Sequence, residues 1–277
     1  MVAPMGGMIA TCLISRGPRY NRSAWESGLR LHGYNVTDTP KQQPEPHDLL
    51  LVWNRIGRNN EIARSYESAG ARVIVIENGW IGKDKNGVLP YSAALDLHNG
   101  CGRWPVGRKR RWERWGIRLA PWRSHGAAIL VLPQRGIGSP PVSMPFGWTE
   151  TVLARLRKLT DRPVIVRRHP GGPVNDRPEI DWTGVHAAVT WGSAAGIKAL
   201  VAGVPVFHEL RSWIGAPAAR RGLEDIEQPC FGDRDAMLDR LAWAQWDAEE
   251  IERGEPLAWL LGSSSPSTSP PMRARAS

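Results

Sequence analysis

Cysteine is scarce in this 277-residue chain, with three in all, Cys12, Cys101 and Cys230. They form no C-x-x-C pair and cannot build an even disulfide framework. That excludes a disulfide-stapled fold and sets the expectation of a reducing compartment, the cytoplasm. Apolar runs are short: none approaches the ~18 residues a membrane-spanning helix needs. The opening MVAPMGGMIATCLISRG has no basic n-region and only a brief apolar stretch, so a secretory signal is not expected. Two phosphate-binding fingerprints are also missing. There is no G-x-x-x-x-G-K-[ST] loop and no G-x-G-x-x-G turn. No cluster has metal-ligand spacing, and no D-x-D stands at a strand end, so metal-independent chemistry is expected.

What is present is lopsided. Of 36 basic residues only Lys41, Lys83, Lys85, Lys109, Lys158 and Lys198 are Lys, and the formal charge is +9. Tryptophan, at 14, outnumbers the 4 Tyr and 3 Phe. Arginine's planar fork matches phosphate oxygens, and a net positive field attracts polyanions. A high-GC coding bias accounts equally well for the Arg and Trp excess, but less well for the net charge.

The first 122 residues alternate short apolar runs with helical patterns. MIATCLIS (8–15), DLLLVW (48–53) and RVIVI (72–76) read as buried strands. Helices are expected up to Leu31, closed by Gly33, and from Asn59 or Asn60 to Gly70. Residues 97–123 are poor in aliphatics and rich in Arg and Trp, and read as a surface connector. The alternation then resumes, with strands at 127–132, 163–166, 187–190 and 204–207. Helices are expected at 149–159, 194–202 and 237–251. Residues 262–277 are Ser/Pro-rich and read as disordered. The division expected is 1–122, 123–261 and a tail at 262–277. Continuous apolar strands between helices indicate parallel sheets covered on both faces, an α/β class.

Ligands in such sheets bind beyond the carboxyl ends of the strands, and three polar clusters stand there. Thr190-Trp191-Gly192-Ser193 leads into a small-residue helix whose amides and dipole favour an anion. The plain alternative is a routine Ser N-cap. Arg167-Arg168-His169-Pro170 ends a short strand, and Pro170 holds His169 extended. The alternative there is a turn with solvated arginines. Gln134-Arg135-Gly136 ends a third strand, where glycine permits close backbone approach.

Together these clusters, within residues 127–210, resemble the nucleotide-binding half of two-Rossmann-domain (GT-B) glycosyltransferases. The likeness is to the capsular polysaccharide Kdo transferase and bacterial sialyltransferase type. The matching motifs are Leu130–Gln134, Arg167–Pro170 and Ser193–Val206. Gly192 departs from the pattern, where a second Ser often stands. The resemblance implies two Rossmann-like domains facing across a cleft. It also implies a nucleotide-sugar donor (UDP-, CMP- or GDP-linked) and no permanently bound cofactor. Donor contacts would come from His169 and Ser193, with Gln134, Arg135, Arg168 and Gly192 beside them.

The first half would then present the acceptor and supply a base. Glu77, after RVIVI, is the first candidate, and Asp96 and His98 are the second; a plain turn carboxylate is the alternative for Glu77. In the connector, Arg108, Arg110, Arg111, Trp112, Arg114 and Trp115 interleave cations with indoles, as in a nucleic-acid-binding surface. The alternative is a basic loop whose indoles tuck into the core. The sharpest expectation is a phage-type transferase acting on hydroxymethylated bases in duplex DNA. The alternatives are transfer to a cell-surface glycan or lipid-linked sugar, and a non-catalytic nucleic-acid-binding module.

Overall fold

The computed structural model describes residues 7–97, 101–102, 107–138, 140, 142–169 and 179–262. The first sheet has strand order β11-β5-β4-β3-β1-β2. Its parallel part comprises β1 (Ile9–Leu13), β2 (Asn35–Thr37), β3 (Leu49–Trp53) and β4 (Arg72–Asn78). β5 (Tyr91–Leu95) runs antiparallel to β4, and β11 (Gln245–Trp246) runs antiparallel to β5. The second sheet, all parallel, has order β10-β9-β8-β6-β7. It comprises β6 (Ala128–Leu132), β7 (Val164–Val166), β8 (Val185–Thr190), β9 (Val206–His208) and β10 (Arg220–Arg221).

The apolar runs become strands because both faces are covered. Leu49 to Val52 and Val73 to Ile76 are buried throughout. One face of the first sheet packs with α1 (Arg22–Leu31) through Trp25 and Leu29. The other face carries α2 (Arg58–Ser68) through Ala63 and Tyr66. In the second sheet, α3 (Trp148–Leu159) buries Trp148, Val152 and Leu156 against Ile129, Val131 and Val189. α4 (Ala194–Val201) buries Ile197 and Leu200 on the opposite face.

Three expectations change. The helix expected over 237–251 is broken into α5 (Arg234–Ala242), β11 and α6 (Ala248–Glu252), followed by α7 (Glu255–Gly262). Asp247 breaks it by forming a capping box with Glu250 at the start of α6. The second unit expected over 123–261 also sheds its end: β11 joins the first sheet, and α6 lies against α1. The return is tight, because a Cβ on Gly28 would meet the Ile251 carbonyl oxygen. The described part of the connector, finally, is not a plain surface loop. Trp112, Trp115 and Ile117 are buried in one core with Trp80, Leu130, Leu132 and Leu200. All but the first residue of the tail at 262–277, Gly262, lies outside the described residues.

Candidate functional site

The strand order of the second sheet settles how the three clusters relate. β7, β6 and β8 are adjacent and parallel. Arg168 and His169 follow β7, Gln134 and Arg135 follow β6, and Gly192 and Ser193 follow β8. All six therefore gather at one carboxyl edge, the outer loops two strand spacings apart, roughly 10 Å. Arg135 and Arg168 are exposed, and His169 is half-buried. Arg211, past β9, and Arg221, which ends β10, are exposed at the same edge. Such a concentration of guanidinium groups favours negative charge nearby.

Ser193 stands at the N-cap of α4 with extended backbone, φ −81° and ψ 159°. Its hydroxyl caps nothing. Its own amide donates instead to Thr190 Oγ1 at 3.1 Å. Gly192 has no room for a side chain: a Cβ would lie 2.6 Å from Leu210 Cδ2 and 3.2 Å from Trp213 Cδ1. The turn is thus pressed onto the segment after β9, where the Leu210 amide donates to the Trp191 carbonyl at 2.8 Å.

Buried polar atoms without partners are costly and therefore informative. Among the described residues, the buried side-chain oxygens without a partner are Asn54 Oδ1, Gln134 Oε1 and Ser193 Oγ. Each belongs to a residue just past the carboxyl end of a strand, β3, β6 or β8. Asn54 also holds a left-handed backbone, φ 61°. That conformation is uncommon outside glycine, though asparagine adopts it more readily than most residues.

Sequence reading passed over a groove of about 450 Å³ at the same edge, lined by Trp191, Glu209, Arg221 and Gly222. Glu209 accepts a hydrogen bond from Trp148 Nε1 at 2.6 Å and pairs with Arg155. These partners come from α3, some fifty residues away, so no local pattern announces them. A second cleft, about 440 Å³, opens at the amino edge beside His125, Arg162 and His186. It contains none of the expected residues.

In the first sheet Glu77 lies within β4, paired with Ser92, rather than in a turn. It is half-buried at the carboxyl edge. The Cys101 thiol is pushed up to about 12, mostly by burial and further by the Glu77 charge. Asp96 is corrected. It follows β5, which runs antiparallel, and its amide donates to the Val73 carbonyl at 2.9 Å. It therefore sits near the amino end of β4, roughly 13 Å along the strand from Glu77. Asp96 thus lies at the opposite edge of the sheet from Glu77. His98 lies outside the described residues.

The connector residues do not form the expected nucleic-acid surface either. Trp112 and Trp115 are buried. Arg111 pairs with buried Glu250, donates to the Gln245 carbonyl at 3.1 Å, and lies 4.4–5.0 Å from the rings of Trp115, Trp243 and Trp246. Arg114 pairs with Asp247 at 2.6 Å and with Glu250. Arg110 pairs with Glu113. These indoles fill a core and these cations bind carboxylates. Of the six residues, Arg108 stays exposed without an ion pair among the described residues.

No family model matches the sequence, and no curated protein matches it significantly. Solved structures do. The beta Kdo 2,7 transferase of Thermosulfurimonas dismutans KpsC aligns with a TM-score of 0.51 at 15% identity. The alignment covers 90% of this chain and 98% of that one. The beta Kdo 2,4 transferase of the same protein aligns at 0.47 and 12%, covering 84% and 90%. The chain has a GT-B-like α/β fold with two Rossmann-like sheets.

Proposed function

We propose that this protein is a glycosyltransferase moving a sugar from a nucleotide-sugar donor to an acceptor hydroxyl. The donor's phosphate lies at the carboxyl edge of the second sheet. The observation that carries this reading is the convergence of His169, Arg168, Gln134, Arg135 and Ser193 on three adjacent parallel strands, with Ser193 Oγ and Gln134 Oε1 left without partners. The fold likeness to proteins described as Kdo transferases adds to it.

In this reading Arg135, Arg168 and the amides opening α4 stabilise charge on the departing nucleotide. Trp191 and Glu209, lining the groove, meet its base and ribose. Bound nucleotide phosphate is neutralised by arginine rather than by metal. Glu77 takes the proton from the acceptor. The acceptor is a glycan. A DNA-base acceptor loses its support with the burial of Trp112 and Trp115 and the pairing of Arg111 with Glu250.

The test is a thermal-shift screen with CMP, UDP, GDP and their sugars. One nucleotide family should raise Tm, since a ligand at 100 times its Kd stabilises by about 2.7 kcal/mol. His169→Ala and Ser193→Ala should each reduce that shift. Glu77→Gln should keep it while abolishing transfer. A Tm that responds to no nucleotide, or a shift indifferent to both donor-edge variants, overturns the assignment.

A further inference from the structure

At the amino edge of the second sheet, away from the donor loops, β8 opens with an irregularity. Val185 faces Ala128 of β6, but the next pair is Ala187 with Ile129, so His186 is an extra residue that β6 does not oppose. Such a bulge takes a side chain out of the regular alternation and re-aims it. The same residue lines the cleft of about 440 Å³ that opens at this edge. Gly126 passes close against the bulge: an added Cβ would lie 2.3 Å from the His186 amide nitrogen.

His186 is 6% exposed, yet one of its ring nitrogens is engaged and the other is not. Nε2 lies 3.1 Å from the Ile226 carbonyl oxygen, which can only accept, so Nε2 carries the proton. Burial, and then the Arg162 charge, lower the pKa of the imidazole, which is therefore neutral at neutral pH. Nδ1 is left as an acceptor without a partner among the described residues, a costly state for a buried group. Beside it, Arg162 is held in place as a donor. Its Nε donates to Glu227 at 3.0 Å and its Nη1 to the Gly126 carbonyl at 2.7 Å, while Nη2 has no partner among the described residues. One wall of the cleft is aromatic. Phe231 is 49% exposed, and its ring meets that of Trp122 at 5.4 Å. Trp122 in turn carries the Arg234 guanidinium 4.1 Å from its ring centre. The row Arg234, Trp122, Phe231 thus ends at the cleft, where one more flat ring extends it.

We propose that this cleft is a second ligand site, and that it takes a planar, uncharged heteroaromatic ring whose edge sets an N–H donor beside a carbonyl, as in uracil or hypoxanthine. The N–H donates to His186 Nδ1, the carbonyl accepts from Arg162 Nη2, and the ring face lies against Phe231. The ligand is uncharged because Arg162 and Glu227 already neutralise each other. The volume falls in the range of small-molecule sites. This site does not depend on the glycosyltransferase reading, since none of its residues belongs to the donor edge.

A ligand-observed NMR titration of the full chain tests it, with 1-methyluracil and 1,3-dimethyluracil as probes. The two have the same ring, but the second has lost the N–H between the carbonyls. It should bind about tenfold more weakly, the effect of one hydrogen bond whose buried acceptor is left unpaired. His186→Phe keeps a ring and removes Nδ1, and should bring the two probes to the same affinity. Phe231→Ala, a surface change, should weaken 1-methyluracil roughly fivefold through the lost ring contact, and it carries the test alone if His186→Phe does not fold. Binding of neither probe, or equal affinity for both in the unaltered chain, overturns the site. So does 1-methyluracil binding that is undiminished in the folded variants, which would place the probe elsewhere on the molecule.

Discussion

His208, at the end of β9, is buried beside the Trp213 ring at 5.0 Å, and its Nδ1 lies 3.0 Å from the Leu210 carbonyl. Burial pulls its pKa down from 6.5 to about 4. The folded protein therefore keeps this imidazole neutral where the unfolded chain protonates it. The unfolded state binds more protons between the two values, so stability falls as pH drops from about 6.5 toward 4. The full difference is worth about 3 kcal/mol at 1.36 kcal/mol per pKa unit. Urea unfolding at pH 7.5 and pH 5 should show about 2 kcal/mol of this loss, the rest appearing at still lower pH, and His208→Asn should shrink it. Asn keeps a donor for the Leu210 carbonyl without titrating in that range. An equal loss in the variant would assign the effect elsewhere, His186 being the other imidazole whose pKa burial lowers. The same segment explains Gly192. A Cβ at this position would press into the side chains of Leu210 and Trp213.

At the scale of elements, the continuous β-branched runs were legible because burial on both faces requires them. β4 and β8 lie where the sequence places them, with β4 extended by two residues at its carboxyl end and β8 by two at its amino end. β5 was missed. Its YSAAL has two alanines and no β-branched residue, and its strand state comes from pairing with β4 and β11. That omission hid the antiparallel turn and misplaced Asp96. The donor-side loops were legible because each directly follows a strand. Glu209 and His186 were not, because their partners are distant in sequence. Gly28 in α1 shows how far long-range packing outweighs local preference. Helix propensity alone favours alanine there by about 1 kcal/mol. The added Cβ would meet the Ile251 carbonyl and lie 3.1 Å from Gly254 Cα, both backbone atoms. Gly28→Ala should therefore destabilise, by roughly 1–3 kcal/mol for overpacking. A higher urea midpoint in the variant would show that α1 and α6 yield.

Across the whole molecule, the connector binds the two sheets into one folding unit. Its Trp112 and Trp115 pack in the core that also holds Leu130 and Leu132 of β6, while its arginines clasp α6, which rests on α1 of the first sheet. Glu250 is the centre of that clasp. It is 1% exposed, receives both Arg111 and Arg114, and completes the capping box with Asp247. Removing one partner of a buried pair costs about 3–5 kcal/mol, because the other charge is left uncompensated. Here the stranded charge is Arg111, enclosed by three indoles. Glu250→Gln keeps the volume and some hydrogen bonding but removes the charge. It should lower stability by that amount, with Arg111→Met restoring part of it in the double variant. Tryptophan fluorescence and far-UV circular dichroism should give coincident urea transitions in the unaltered chain, as a cooperative unit requires. In Glu250→Gln they should separate, because the clasp links α6 and the first sheet to a connector otherwise packed with the second. Coincident transitions at an unchanged midpoint would mean that the Trp80–Trp112–Trp115 core alone holds the sheets together.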